Sequence, residues 1–74
     1  MPKLPRVKPT KVIKALKRAG FYIDHITGSH YILYKNDKLP PVSVPRYNKD
    51  LKLGTLRNIL RQARISIKDF IKYL

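Results

Sequence analysis

Two runs rich in aromatic and β-branched residues, 21–26 and 29–35, are separated by Thr27-Gly28 alone. So short a break favours an antiparallel hairpin, because parallel strands need a crossover of a dozen or more residues. In the first run, alternation sets Phe21, Ile23 and His25 on one side and Tyr22, Asp24 and Ile26 on the other. In the second, His30, Ile32 and Tyr34 oppose Tyr31, Leu33 and Lys35. Neither set is cleanly polar, so periodicity does not say which is buried. Gly28 is expected at a tight turn, with His30 at the mouth of the strand, its backbone held and its ring reaching solvent. Histidine is the side chain best suited to move protons near neutral pH. The plainer alternative is a half-exposed strand residue without chemistry.

The rest of the chain extends this hairpin. Asn36-Asp37-Lys38 reads as a second turn, and residues 40–45 as a third strand that its prolines confine to an edge or a short length. Ahead of the hairpin, Val12, Ile13, Leu16 and Ala19 form one apolar helical stripe, with Lys11, Lys14, Lys17 and Arg18 on the other side. Pro9 or Thr10 opens that helix and Gly20 supplies its left-handed end. After the third strand, residues 46–52 form a polar, basic connection. Gly54-Thr55 then starts a helix with the stripe Leu56, Ile59, Leu60 and Ala63. Ser66 and Asp69 look like a variant capping box opening a short last helix, with Phe70, Ile71 and Leu74 facing the core. The expected fold is α+β: a three-stranded antiparallel sheet with helices on one face. Residues 1–74 make one domain, of which 1–8 are a basic irregular arm.

Seventeen Lys and Arg stand against four Asp and no Glu, a net charge of +13. Such self-repulsion opposes compaction, so the charge points to a polyanionic partner, nucleic acid before an anionic membrane surface. No apolar run approaches the length of a spanning helix, and the N-terminus lacks an apolar signal core, so a cytoplasmic protein without membrane contact is expected. Without cysteine there is no disulfide framework, thiolate metal site or Cys nucleophile. Two His and four Asp argue against a dedicated metal site, and no cofactor is expected.

Gly28-Ser29-His30, then Val44-Pro45, Gly54-Thr55-Leu56, Ile59-Leu60 and Gln62-Ala63, taken in order and at these spacings, resemble the HicA toxin family. The resemblance runs from about residue 11 to 70. It implies a double-stranded-RNA-binding-like fold of α-β-β-β-α order, an mRNA endonuclease activity, and silencing by a HicB antitoxin. The family's functional histidine, in the Gly-Ser-His motif, corresponds to His30. Two positions depart from the pattern. His25 stands where many members carry Arg, leaving a titratable group near the turn. Arg64 stands where a Gly commonly follows Gln-Ala, which removes an easy helix cap and is expected to lengthen the helix.

RNA carries its own nucleophile, the 2′-hydroxyl, so cleavage needs a proton acceptor, a proton donor and stabilisation of the crowded phosphate rather than a metal. His30 can act as base or acid. Arg46, Lys49, Lys52 and Arg57 can supply cations, with Ser29 a further RNA contact. For the second proton-transfer group, His25, Tyr31 and a lysine all stay open. The competing readings are a non-catalytic RNA-binding module of the same fold and a protein-interaction subunit whose basic face serves an acidic partner.

Overall fold

The structure, a computed structural model, describes residues 3–74. Its elements run α1 (Pro9–Arg18), β1 (Tyr22–Ile26), β2 (His30–Tyr34), β3 (Val42–Pro45), α2 (Leu53–Ala63) and α3 (Ile67–Tyr73). The three strands form one antiparallel sheet in the order β1-β2-β3, so β2 is central and the proline-flanked β3 is an edge. This is the α+β order of a double-stranded-RNA-binding-type domain, with one further short helix.

Residues 3–8 contain no regular element, but they are not a loose arm throughout. Val7 is buried, and its carbonyl accepts from the Leu51 N–H at 2.8 Å. That bond pins the start of the chain to the connection ahead of α2. Pro9 then occupies the first turn of α1, where its missing N–H costs nothing. Thr10 is exposed and provides no cap. The buried stripe is Pro9, Val12, Ile13, Ala15 and Leu16, with Ala15 in place of the expected Ala19, which is only half-buried at the helix end.

Gly20 ends α1 as expected, at φ +103°. Its N–H donates to Lys17 O at 3.0 Å, and the Phe21 N–H donates to Leu16 O at 2.9 Å. These are the paired bonds of a Schellman ending, and the apolar contact that goes with it joins Phe21 to Leu16 in the core.

Strand pairing answers the question that alternation left open. Leu33 pairs with Ile23 on β1 and Val42 on β3, while Tyr31 pairs with Val44. Leu33, Val42 and Val44 are fully buried, so this is the core face, packed against Leu16, Leu56, Ile59, Leu60 and Phe70. Each large apolar side chain buried there contributes about 1.5–3 kcal/mol. His30, Ile32 and Tyr34 therefore lie on the outer face, which no helix among the described residues covers.

Simple alternation fails in one place. Between Ile23 and His25 the register shifts by one residue, a β-bulge at Asp24. His25 consequently pairs with Ile32 on the outer face, instead of sharing the core face with Ile23. A bulge puts two residues opposite one and re-aims everything after it.

The helix ends also depart from expectation. Helix α2 begins at Leu53, with Lys52 as an N-cap that makes no side-chain bond. It is not lengthened by Arg64, because Arg64 itself takes the left-handed conformation (φ 56°, ψ 41°) that a glycine would have supplied. The Ser66 hydroxyl caps α3 by accepting from the Asp69 N–H at 3.1 Å. Of the three residues expected inside, only Phe70 is buried; Ile71 and Leu74 are exposed. Helix α3 instead turns Ile67, Phe70 and Tyr73 inward, a spacing of three residues that keeps them on one face of so short a helix.

Candidate functional site

The hairpin loop, residues 27–29, is tied by a side chain rather than by a glycine. Thr27 Oγ1 accepts from the His30 N–H at 3.0 Å and donates to His30 O at 3.2 Å, while the Thr27 N–H donates to the same carbonyl at 2.9 Å. Gly28 has an ordinary φ, and a Cβ there would meet nothing within 4 Å. Gly28 lies in the turn as expected, but the turn does not require a glycine there. Thr27 was missed, although a hydroxyl three residues before a strand opening is a known local competitor for backbone groups.

These bonds hold His30 at the first position of the central strand, opposite Pro45 of β3. Its residue is half-buried, and its Nδ1 lies 2.8 Å from Ser29 Oγ. Its Nε2 has no hydrogen-bond partner among the described residues. The ring thus stands on an uncovered sheet face with its backbone fully engaged.

Arg46 is the cation that the fold brings to this turn. Its N–H donates to Ser29 O at 2.8 Å, its Nη1 donates to Thr27 O at 3.4 Å, and its Cζ lies 5.4 Å from the centre of the Tyr31 ring. A guanidinium over a ring face gains from the ring quadrupole while keeping its other donors available. Lys49, Lys52 and Arg57 are all exposed, and none is joined to the turn by a hydrogen bond or ion pair among the described residues. Ser29 is exposed beside the ring.

Two open grooves flank the sheet. One of about 380 Å³ is lined by Pro9 and Thr10 of α1, Gly28, Tyr31, and Arg46, Tyr47 and Asn48. Tyr47 and Asn48 carried no signal in the sequence, since only the return of β3 places them beside the turn. The other, about 440 Å³, lies at the far end of the hairpin between the Tyr22–Tyr34 cross-strand pair and residues 36–41. Those two rings are 6.5 Å apart, and Tyr22 is 53% exposed.

On the outer face, the bulge at Asp24 leaves the Asp24 and His25 side chains in contact, with His25 Nδ1–H donating to Asp24 Oδ2 at 2.8 Å. No group of three or more His, Asp or other ligating side chains gathers as a metal site would need among the described residues. Among them, too, no helix is long and apolar enough to cross a membrane.

The arrangement combines an anchored imidazole, a cation held at the same turn and a strongly basic surface, the parts needed for chemistry on a phosphodiester. Comparison with curated proteins finds no match. A family model, that of the HicA toxin of bacterial toxin–antitoxin systems, matches residues 9–65. That span opens with the first residue of α1 and closes just past α2, taking in the sheet, the Gly28-Ser29-His30 turn and Arg46. The chain belongs to the HicA toxin family, the toxin side of a toxin–antitoxin pair whose partner is an antitoxin.

Proposed function

We propose that this toxin is an mRNA endonuclease that works without a metal ion, with His30 as its proton-transferring residue. The observation that carries the reading is the anchoring of His30 by Thr27 on the central strand, with Nε2 open on the uncovered sheet face. In such a reaction the 2′-hydroxyl attacks the adjacent phosphorus, and transfer of its proton to or from a positioned imidazole is worth roughly 10²- to 10⁴-fold. Arg46, bonded to the turn from the groove beside Tyr31, is the cation assigned to stabilise charge on the phosphorane oxygens. Ser29, Lys49, Lys52 and Arg57 contribute to holding the RNA backbone, whose many contacts supply affinity that does not depend on the imidazole. An mRNA substrate puts the work in the cytoplasm. A HicB-type antitoxin silences the enzyme by covering the outer face around residues 28–34 and so hiding His30.

The test is incubation of purified protein with mRNA in excess EDTA, beside a His30→Ala variant whose thermal midpoint is checked. Wild type is expected to cut and His30→Ala to lose at least 100-fold in rate, with RNA affinity nearly intact. A folded variant that cuts at the wild-type rate removes His30 from the mechanism. An intact protein that binds RNA without ever cutting it would make this a binding module.

A further inference from the structure

We propose that His25 is the second proton-transfer group of the site, protonating the leaving 5′-oxygen while His30 takes the proton of the 2′-hydroxyl. The assignment rests on the ribonuclease reading above and adds the missing half of its acid–base pair.

Strand alternation alone would separate the two histidines, because it groups His25 with Ile23, whose cross-strand partner Leu33 is buried. The bulge reverses this. With Asp24 as the extra residue, His25 pairs with Ile32 and so shares the outer face with Ile32 and, two residues away on the same strand, His30. Diagonal neighbours of this kind on adjacent antiparallel strands lie roughly 7–8 Å apart, within reach of ring side chains. A phosphodiester crossing the two strands can therefore present its 2′-oxygen to one ring and its 5′-oxygen to the other.

Their partners divide the roles. His25 Nδ1–H donates to the Asp24 carboxylate at 2.8 Å, and both side chains are about half exposed. A carboxylate is the fitting counter-ion for an imidazolium, so His25 is the ring equipped to begin as the proton donor, through Nε2. Among the described residues, the His30 ring's one hydrogen-bond partner is the Ser29 hydroxyl, 2.8 Å from Nδ1. In the tautomer that donates Nδ1–H to that hydroxyl, the Nε2 lone pair is free to take a proton. Asp24 is a positioning residue, and the bulge that carries it brings carboxylate and imidazole to the same side.

The step balances without water or a cofactor. His30 Nε2 accepts the 2′-hydroxyl proton as the 2′-oxygen bonds to phosphorus. The phosphorus–O5′ bond breaks, and the His25 Nε2 proton passes to O5′. The products are a 2′,3′-cyclic phosphate and a 5′-hydroxyl, with one proton moved from His25 to His30.

The experiment compares two substrates in EDTA: an RNA oligonucleotide, and a ribonucleoside 3′-(4-nitrophenyl phosphate), whose phenolate leaves without needing a proton. His25→Ala and His25→Gln are expected to slow oligonucleotide cleavage by about 10²- to 10⁴-fold yet cut the activated ester within a few-fold of wild type. His30→Ala is expected to lose both reactions. Asp24→Asn should reproduce the His25 pattern more weakly, slowing the oligonucleotide but sparing the ester. Folded His25 variants that retain wild-type rates on the oligonucleotide, or that lose both substrates equally, overturn the assignment of His25 as the acid. Wild-type protein that cuts neither substrate overturns the ribonuclease reading itself, and the assignment with it.

Discussion

Arg46 donates its backbone N–H to the carbonyl of Ser29 at 2.8 Å, fastening the residue just past β3 to the loop just ahead of His30. The guanidinium is carried from there to the Thr27 carbonyl and the Tyr31 ring. Any residue but proline keeps the backbone bond, so the side chain can be altered without releasing the turn.

Arg46→Ala is accordingly expected to lower RNA cleavage by on the order of 10- to 100-fold, at or below the loss for removing a buried oxyanion donor. Because the side chain is exposed, stability should move by no more than about 0.5 kcal/mol. Arg46→Lys should recover only part of the rate, since an ammonium neither forks onto two oxygens nor stacks on a ring as a guanidinium does. Rates on mRNA and thermal midpoints, measured together, check this. Full activity in the alanine variant would exclude Arg46 from the site.

Arg64 offers a stability prediction independent of function. It holds a left-handed conformation at φ 56°, which costs an L-residue about 1–2 kcal/mol relative to the right-handed region. Arg64→Gly should therefore raise unfolding stability, by up to about 1 kcal/mol once the glycine's larger unfolded-state entropy is set against it. Urea denaturation of the two proteins gives the difference directly. A midpoint that falls would mean the arginine side chain makes a stabilising contact that outweighs its backbone strain.

The core prediction runs the other way. Leu60 is buried at the centre of the α2 stripe, and Leu60→Ala should cost about 2–5 kcal/mol. In a 74-residue chain built on one small core this approaches the whole margin, so activity should disappear through unfolding. Circular dichroism separates this loss from that of His30→Ala, which is expected to stay folded. A folded but inactive Leu60→Ala would contradict it.

Charge should govern affinity. A chain of net charge +13 that neutralises several phosphates releases their counterions, so RNA binding should fall steeply and log-linearly with salt. Titrations of the His30→Ala protein at several ionic strengths measure the slope without cleavage. A flat dependence would rule out phosphate contacts as the source of affinity.

Much of this molecule was determined by local sequence. The apolar stripes of α1 and α2, Gly20 as the left-handed ending and Ser66 as a cap are consequences of neighbouring residues, as is the hairpin around Thr27-Gly28. Each depends on interactions within a few positions, so pattern alone reveals it. The place of His30 at the opening of a strand, just past Gly28-Ser29, was legible for the same reason. What only the tertiary structure decided is which sheet face the helices cover, because both faces of β2 carry large apolar side chains and burial goes to whichever meets Leu16, Leu56 and Phe70. It also decided that Val7 leaves the arm for the core and that Arg46 returns to Ser29 across 17 positions of chain. Above all it placed the bulge at Asp24. Alternation assigns faces by counting residues, and one extra residue in a strand is visible only against the partner strand it fails to match.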